Sequence, residues 1–167
     1  MQRGTYNIIK TWALDRDFQI LWKHEAFGKN KDINLNYYGQ GSHSLIAADI
    51  DQDGKDELII GAAAIDDNGQ GLWTLGMGHP DICYCADIDP HHPGLEVFYG
   101  FETPQETDGM CLVDAKTGEK LWALSEKTFH LHSQGMCADI LPNIPAWRST
   151  AVNGIMPNGG FTARTEN

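Results

Sequence analysis

One pattern limits this chain more than any other. A short apolar run ending in Ala-Asp-Ile recurs three times, in "IAADIDQDGKDELIIGA", "YCADIDPHHPGLEVFYG" and "MCADILPNIPAW". The aspartates that anchor it are Asp49, Asp87 and Asp139, at offsets of 38 and 52 residues. A repeat of this length that holds a few strands predicts a β-propeller, with one four-stranded blade per unit. A solenoid competes, but its periods are shorter and steadier. The runs "FQILWKHE", "SLIAADI", "ELIIGAAAI", "ICYCADI", "LEVFYGFE", "MCLVDA", "EKLWAL" and "GMCADI" all have strand length and are rich in β-branched and aromatic residues. Turn material such as "DQDGKD", "DDNGQG" and "DAKTGEK" separates them, and 18 Gly with 7 Pro leave little room for long helices. The chain therefore reads as all-β. It holds about three repeats where a typical propeller needs at least four blades, so it reads as a β-propeller fragment.

The 167 residues carry 12 basic against 23 acidic side chains, a net charge of −11. That excludes nucleic acid as a partner, because phosphate binding needs a basic face. It suits a protein that gathers cations, since the acids cluster between apolar runs. No apolar run approaches the roughly 20 residues of a membrane span, so no membrane role is expected. The first residues, "MQRGTYNIIKTWALDRD", contain no apolar core of a signal peptide. Cys83 and Cys85 form C-x-C in a strand-like run, a poor zinc knuckle or redox motif, and with Cys111 and Cys137 they read as small buried thiols.

The first acidic turn is not an EF-hand. Counted from Asp49, the twelfth position is Ile60 rather than a bidentate carboxylate, and the flanks are strands. Instead Asp49, Asp51 and Asp53 alternate, Gly54 permits a sharp turn, and Glu57 stands at the ninth position of the loop. Such a loop can fold its carboxylates around one hard cation, with the Lys55 carbonyl as a further ligand. The alternative is a solvated acidic turn. The second copy keeps Asp87, Asp89 and Glu96 but has Pro90 and Pro93 in the turn, a weaker cation loop. The third keeps only Asp139 and Asn143, and no metal is expected there.

A second constellation precedes two of these loops. "GQGSHSL" carries His43, and "GMGHPDI" carries His79 and Asp81. His43 stands six residues before Asp49 and Asp81 six before Asp87, so the two hold equivalent places in successive repeats. Glu102 ends the run after the second loop. Imidazoles with carboxylates suit a metal or a general base, and by donor type a transition metal more than calcium. The alternative is hydrogen-bonded histidines at strand ends. His24, His91, His92, His130 and His132 read as surface or loop residues.

From about Trp12 to Pro145, the order of "GQGSHSLIAADIDQDGKDELIIGAAAIDDNGQGL", "GMGHPDICYCADIDPHHPGLEVFYGFE" and "LVDAKTGEKLWAL" resembles the rhamnogalacturonan lyases of polysaccharide lyase family eleven. The resemblance implies about three blades of an eight-bladed propeller with structural calcium ions. It implies a bacterial, secreted, extracellular parent enzyme. That enzyme would cut the rhamnose–galacturonate backbone of rhamnogalacturonan I in pectin by β-elimination, with calcium as cofactor. It further implies an active-site calcium on His43, His79, Asp81 and Glu102, and a loop calcium on Asp49, Asp51, Asp53, Lys55 and Glu57. The catalytic base is not identified. The fragment alone is expected to be inactive, because a propeller's substrate cleft needs the whole ring. The other function class is a non-catalytic calcium-binding propeller module for adhesion or carbohydrate binding; His43 and His79 favour the enzyme, since loop calcium sites have no use for them.

After "DILPNIP" the pattern breaks. Residues 1–145 read as the partial catalytic propeller, and residues 146–167, "AWRSTAVNGIMPNGGFTARTEN", read as an aberrant tail without strand alternation. A one-base deletion accounts for the change: "PAWRSTAVN" shifted by one base can be encoded as "PGMEVYSGE", and Trp147, whose codon is unique, embeds the ATG. A divergent or truncated end is the alternative. Genomic DNA around the Pro145 codon decides: the neighbouring frame should carry in-register blade sequence, and its absence removes the frameshift.

Overall fold

The computed structural model describes residues 8–26, 37–89, 91–129, 131, 134–138 and 149–153. Among them every regular element is a strand, as the all-β expectation requires. The strands are β1 (Ile9–Leu14), β2 (Ile20–Ala26), β3 (Gly41–Ala48), β4 (Glu57–Gly61), β5 (Ala63–Ile65), β6 (Gly71–Thr74), β7 (Pro80–Ala86), β8 (Glu96–Phe101), β9 (Met110–Asp114), β10 (Lys120–Ala123), β11 (Gln134–Ala138) and β12 (Ser149–Asn153). The chain divides into two compact units, Met1–Pro80 and Asp81–Asn167.

The first unit holds the antiparallel hairpin β1-β2 and a four-stranded sheet in the order β3-β4-β5-β6. The second holds a four-stranded sheet, β7-β8-β9-β10, and the antiparallel pair β11-β12. In both four-stranded sheets spatial order follows chain order, the signature of a meander. The sheets are open, and each corresponds to one sequence repeat.

Burial explains why the middle strands are almost wholly apolar. All six residues of β8 are buried, as are all three of β5, so both faces are covered and no alternation is needed. The first unit's core gathers Ile9, Ala26, Tyr37, Ile60, Ala63 and Ile65, with Trp22 and Leu58 against it. The second unit's core gathers Ile82, Ile88, Phe98, Met110 and Leu131, with Ala86, Leu112 and Leu124. Each fully buried Ile, Phe, Met or Leu among them contributes on the order of 1.5–3 kcal/mol by leaving water. Cys83 and Cys111 are buried thiols as expected, Cys85 is half-buried, and burial raises them to about 12, 12 and 11 respectively.

Two strands open with a buried glutamate. The Oε2 of Glu57 accepts the Ile50 N–H at 2.9 Å, and the Oε2 of Glu96 accepts the Ile88 N–H at 2.7 Å. Each ties the residue after the anchoring aspartate back to the next strand, which sets where the acidic loop stands on its sheet.

The tail departs from its sequence reading. Ser149–Asn153 forms β12, in register with β11 from Gln134↔Asn153 to Ala138↔Ser149. The β-branched Thr150 and Val152 favour an extended chain even without an apolar–polar alternation. Asp139, Asn143, residues 146–148 and residues 154–167 lie outside the described residues.

Gly61 and Gly54 both have positive φ, +125° and +92°, but for different reasons. Gly61 faces Gly41 across β3-β4, and a Cβ there would run into the Gln40 carbonyl and the Gly41 backbone. Nothing lies near a Cβ on Gly54. Gly61→Ala should therefore cost on the order of 2–4 kcal/mol, from strain and overpacking together. Gly54→Ala should cost about 1–2 kcal/mol, from conformation alone. Urea midpoints of the two variants check the ranking.

Candidate functional site

The glycine-paired start of β3 and the segment leading into β7 bring His43 and His79 together. Their rings meet edge to face, with centroids 5.0 Å apart and planes at 84°. His79 is 4% exposed, and its Nδ1 lies 2.5 Å from the Gly41 carbonyl oxygen. A carbonyl only accepts, so Nδ1 carries the hydrogen and the neutral ring presents its lone pair at Nε2. Metal-binding histidines are oriented in the same way. His43 is exposed, and Asp81 is half-buried two residues beyond His79. One ligand atom from each of His43, His79 and Asp81 lies within 4.8 Å of the others. Glu102, expected with them, directly follows β8 in the second unit, is half-buried, and is not one of the three.

Gln40 positions this group and was missed in the sequence. Its Oε1 accepts the Gly78 N–H at 3.2 Å, and its own carbonyl accepts the Ala62 N–H at 2.8 Å. It thus holds the residue before His79 against β3. The motif "GQGSHSL" contains it, but a lone glutamine between glycines carries no sequence signal of that role.

The first acidic loop wraps the Asp49 carboxylate. Its Oδ1 accepts the Asp53 N–H at 3.0 Å, and its Oδ2 accepts the Gly54 N–H at 3.0 Å. Asp51 accepts the Asp53 N–H at 3.1 Å, and Asp53 accepts the Lys55 N–H at 2.9 Å. Gln52, at φ +67°, and Gly54 make the turn tight enough for this. Asp49, Asp51 and Asp53 then place one oxygen each within 4.8 Å of one another. At such a separation two unit charges repel by roughly 3–4 kcal/mol for an effective dielectric near 20. A hard cation offsets that repulsion, and oxygen-only donors are what calcium takes. Glu57 is fully buried at the loop's base. Burial pushes its carboxyl above the ordinary 4.5, the Ile50 N–H pulls it partly back, and the Asp51 charge pushes it up again.

The second loop is organised differently. Asp87, Asp89 and Glu96 form no such three-oxygen group among the described residues. Glu96 Oε2 accepts the N–H groups of Ile88 and Asp89 at 2.7 and 3.0 Å, and its Oε1 meets His92 Nδ1 at 2.9 Å. His92 Nε2 lies 3.3 Å from Asp114 Oδ2. His92 is therefore no bystander, although its sequence neighbourhood, His91-His92 beside two prolines, looks like plain loop. His24 also differs from its surface reading. It is 3% exposed in β2, edge-on to Tyr37 at 4.7 Å, with Nδ1 at 3.2 Å from the Gly69 carbonyl oxygen. The strand's burial alternation turns it inward. His91 is exposed as expected; His130 and His132 lie outside the described residues.

Known proteins share both the sequence and this backbone. The chain is 42% identical over 159 residues to the rhamnogalacturonan exolyase YesX of Bacillus subtilis, covering 95% of this chain and 25% of YesX. It is 40% identical over 148 residues to the rhamnogalacturonan endolyase YesW of the same organism, covering 87% of this chain and 23% of YesW. The crystal structure of the exotype rhamnogalacturonan lyase YesX superposes with a TM-score of 0.74 at 36% identity, over 92% of this chain and 24% of that one. The chain thus spans about a quarter of the length of the curated relatives it matches. The profile of the domain described as "Rhamnogalacturonan lyase family 11, C-terminal domain" matches residues 1–165, and the chain belongs to that family.

Proposed function

We propose that this chain is the metal-holding part of a calcium-dependent rhamnogalacturonan lyase. In this reading its two four-stranded sheets and the strand pair β11-β12 belong to about three blades of an eight-bladed β-propeller, from an enzyme that works outside the cell. The substrate is the rhamnose–galacturonate backbone of rhamnogalacturonan I, cut by β-elimination. The chain alone is inactive, because a cleft across a propeller needs the other blades. The observation that carries the reading is the convergence of His43, His79 and Asp81 with His79 locked by Gly41.

The donor set fits a divalent cation. His43 and His79 would each give one ring nitrogen and Asp81 one carboxylate oxygen, with Glu102 the fourth ligand by family resemblance. Two nitrogens are unusual for calcium, which otherwise prefers oxygen, and leave room for further oxygens from substrate. Calcium bound there supplies positive charge to the uronate C6 carboxylate, where negative charge builds as the C5 proton leaves. Gln40 and the Gly41 carbonyl keep His79 from turning, so the acceptor nitrogen is oriented before substrate arrives. Histidines engaged as ligands have no lone pair for the C5 proton, so the base is another group. As that proton leaves, the C4–oxygen bond breaks, rhamnose departs on that oxygen, and a C4–C5 double bond remains on the galacturonate. Asp49, Asp51, Asp53, the Lys55 carbonyl and Glu57 would hold a separate, structural calcium in the first loop. A weaker site at Asp87, Asp89 and Glu96 has less support, since His92 already occupies Glu96.

Two experiments test this reading. The chain alone, incubated with rhamnogalacturonan I and calcium, should yield no unsaturated uronate absorbance. Residues 1–145 placed for the matching segment of YesX should restore it, and His79→Ala in that chimera should lower the rate on the order of 100-fold or more. A folded, calcium-loaded chimera that binds pectin but never cleaves it would favour the adhesion or carbohydrate-binding module instead. The second experiment concerns the loop. The Glu57 carboxyl is raised in the folded state, so its contribution to metal-free stability is fully present below about 4.5 and is lost as pH rises through the raised value. With chelator present, wild type minus Glu57→Gln should show that decline in urea midpoint with rising pH. Calcium should abolish the decline by holding the carboxylate ionised.

A further inference from the structure

We propose that the outward face of the β1-β2 hairpin is a binding platform for an acidic glycan chain, with a uronate sugar seated on Trp12 beside Lys23. The choice of a uronate glycan rests on the lyase reading; the platform itself shares no residue with the histidine group. The hairpin has two unlike faces. Ile9, His24 and Ala26 turn inward and are buried, with Trp22 packed against the same core. On the other face the register sets Lys10 opposite Glu25, Trp12 opposite Lys23 and Leu14 opposite Ile20. All of these except the half-buried Glu25 are exposed. Strands β5 and β8, which are covered on both faces, carry no lysine. Two lysines and a tryptophan on one side of β1-β2 are the pattern of a sheet that keeps one face in water.

The Trp12 indole is held in place by its neighbours. Its Nε1 donates to Glu25 Oε1 at 2.9 Å, and Lys23 Nζ lies 4.5 Å from its ring centroid. Even so, 48% of the residue stays in water. The C–H face of a pyranose can stack on such a ring, and little freedom is lost because the indole is already fixed. A carboxylate on the stacked sugar then meets the Lys23 ammonium, whereas a neutral hexose offers that charge no partner.

The charge of the chain is sorted in the same sense. Residues 1–31 carry six basic and three acidic side chains, while residues 32–167 carry six basic and twenty acidic ones. A polyanion is therefore repelled by most of the chain and drawn to its first hairpin. The hairpin tip adds a second aromatic. Phe18 has φ +60° and is 82% exposed, and its N–H closes the turn on the Asp15 carbonyl at 3.0 Å. That conformation costs a non-glycine residue about 1–3 kcal/mol, and strain of this kind gathers where ligands are held. A strained aromatic left in water extends the apolar surface beyond Leu14 and Ile20.

Affinity electrophoresis of the whole chain through native gels containing rhamnogalacturonan I, with calcium present, tests the platform. His43→Ala serves as the background, because it removes an exposed ligand of the histidine group and leaves the loop acids intact. The His43→Ala chain should be retarded. Adding Trp12→Ala or Lys23→Glu should each weaken the apparent Kd on the order of tenfold. Neutral galactan in the gel should not retard the chain. Migration of His43→Ala unchanged by rhamnogalacturonan I overturns the platform, even where the chimera cleaves. Equal retardation with and without Lys23→Glu, a surface change that spares the core, overturns it as well. So does galactan that retards the chain as strongly as rhamnogalacturonan I. Retardation lost with Trp12→Ala and Lys23→Glu, together with an inactive chimera, supports the platform and counts against the lyase reading alone.

Discussion

A carboxylate placed at the start of a buried strand governs much of this architecture. Glu57 and Glu96 are fully buried, and each accepts the backbone N–H that comes just after an anchoring aspartate. Burying such a charge costs several kcal/mol unless donors or cations meet it. The partner that meets it differs between the units, but the geometric result is the same. The acidic loop is fastened to its sheet at both ends, by the strand that enters it and by the glutamate that closes it. The loop's own hydrogen bonds, from Asp53 and Gly54 to Asp49, then have a fixed base on which to form.

The histidine group depends on a second fastening of the same kind. Gly61 lets β4 approach the start of β3 closely enough for the Gln40 carbonyl to take the Ala62 N–H. Gln40 then reaches Gly78, and Gly41 reaches His79. Backbone contact, not side-chain packing, thus sets the direction of the imidazole. That is stiffer than a rotamer held by apolar neighbours, because the glycines leave no side chain to yield. It also explains why His79 is buried while His43, on the exposed strand β3, is not.

Much of this was legible in the residues because the repeat is long and its parts are chemically plain. Alternating aspartates before a glycine predicted the loop that folds on Asp49, and equal spacing from the repeat anchors predicted that His43 and Asp81 belong together. The meander order of the four-stranded sheets came from strand-length runs broken by turns. The features that were not legible depend on contacts across the sheet. Gln40 acts through a main-chain carbonyl and an amide, neither of which has a sequence signature. His92 looks like loop because prolines flank it, yet it reaches Glu96 four residues on and Asp114 beyond the next strand. His24 turned inward because strand alternation, not residue type, sets its direction. The tail strand was missed because five residues are too few for a period to show.

The acidic composition gains a specific meaning from this arrangement. A net charge of −11 spread over a surface would serve solubility and little else. Here the first unit gathers acids in two oxygen groups, one around Asp49 and one around Glu57, and Lys55 bridges them, from Asp53 to Asp67. Unscreened, each group works against the compact state, since bringing like charges together must be offset by something absent from the unfolded chain. Ions bound at fixed positions would offset it and, unlike salt in bulk, would bind only the folded loop, so their binding free energy would add to folding. A sheet unit with a modest core could then be rigid at its turns without enlarging that core. In the second unit the His92 ring stands between the two carboxylates instead, 2.9 Å from Glu96 and 3.3 Å from Asp114.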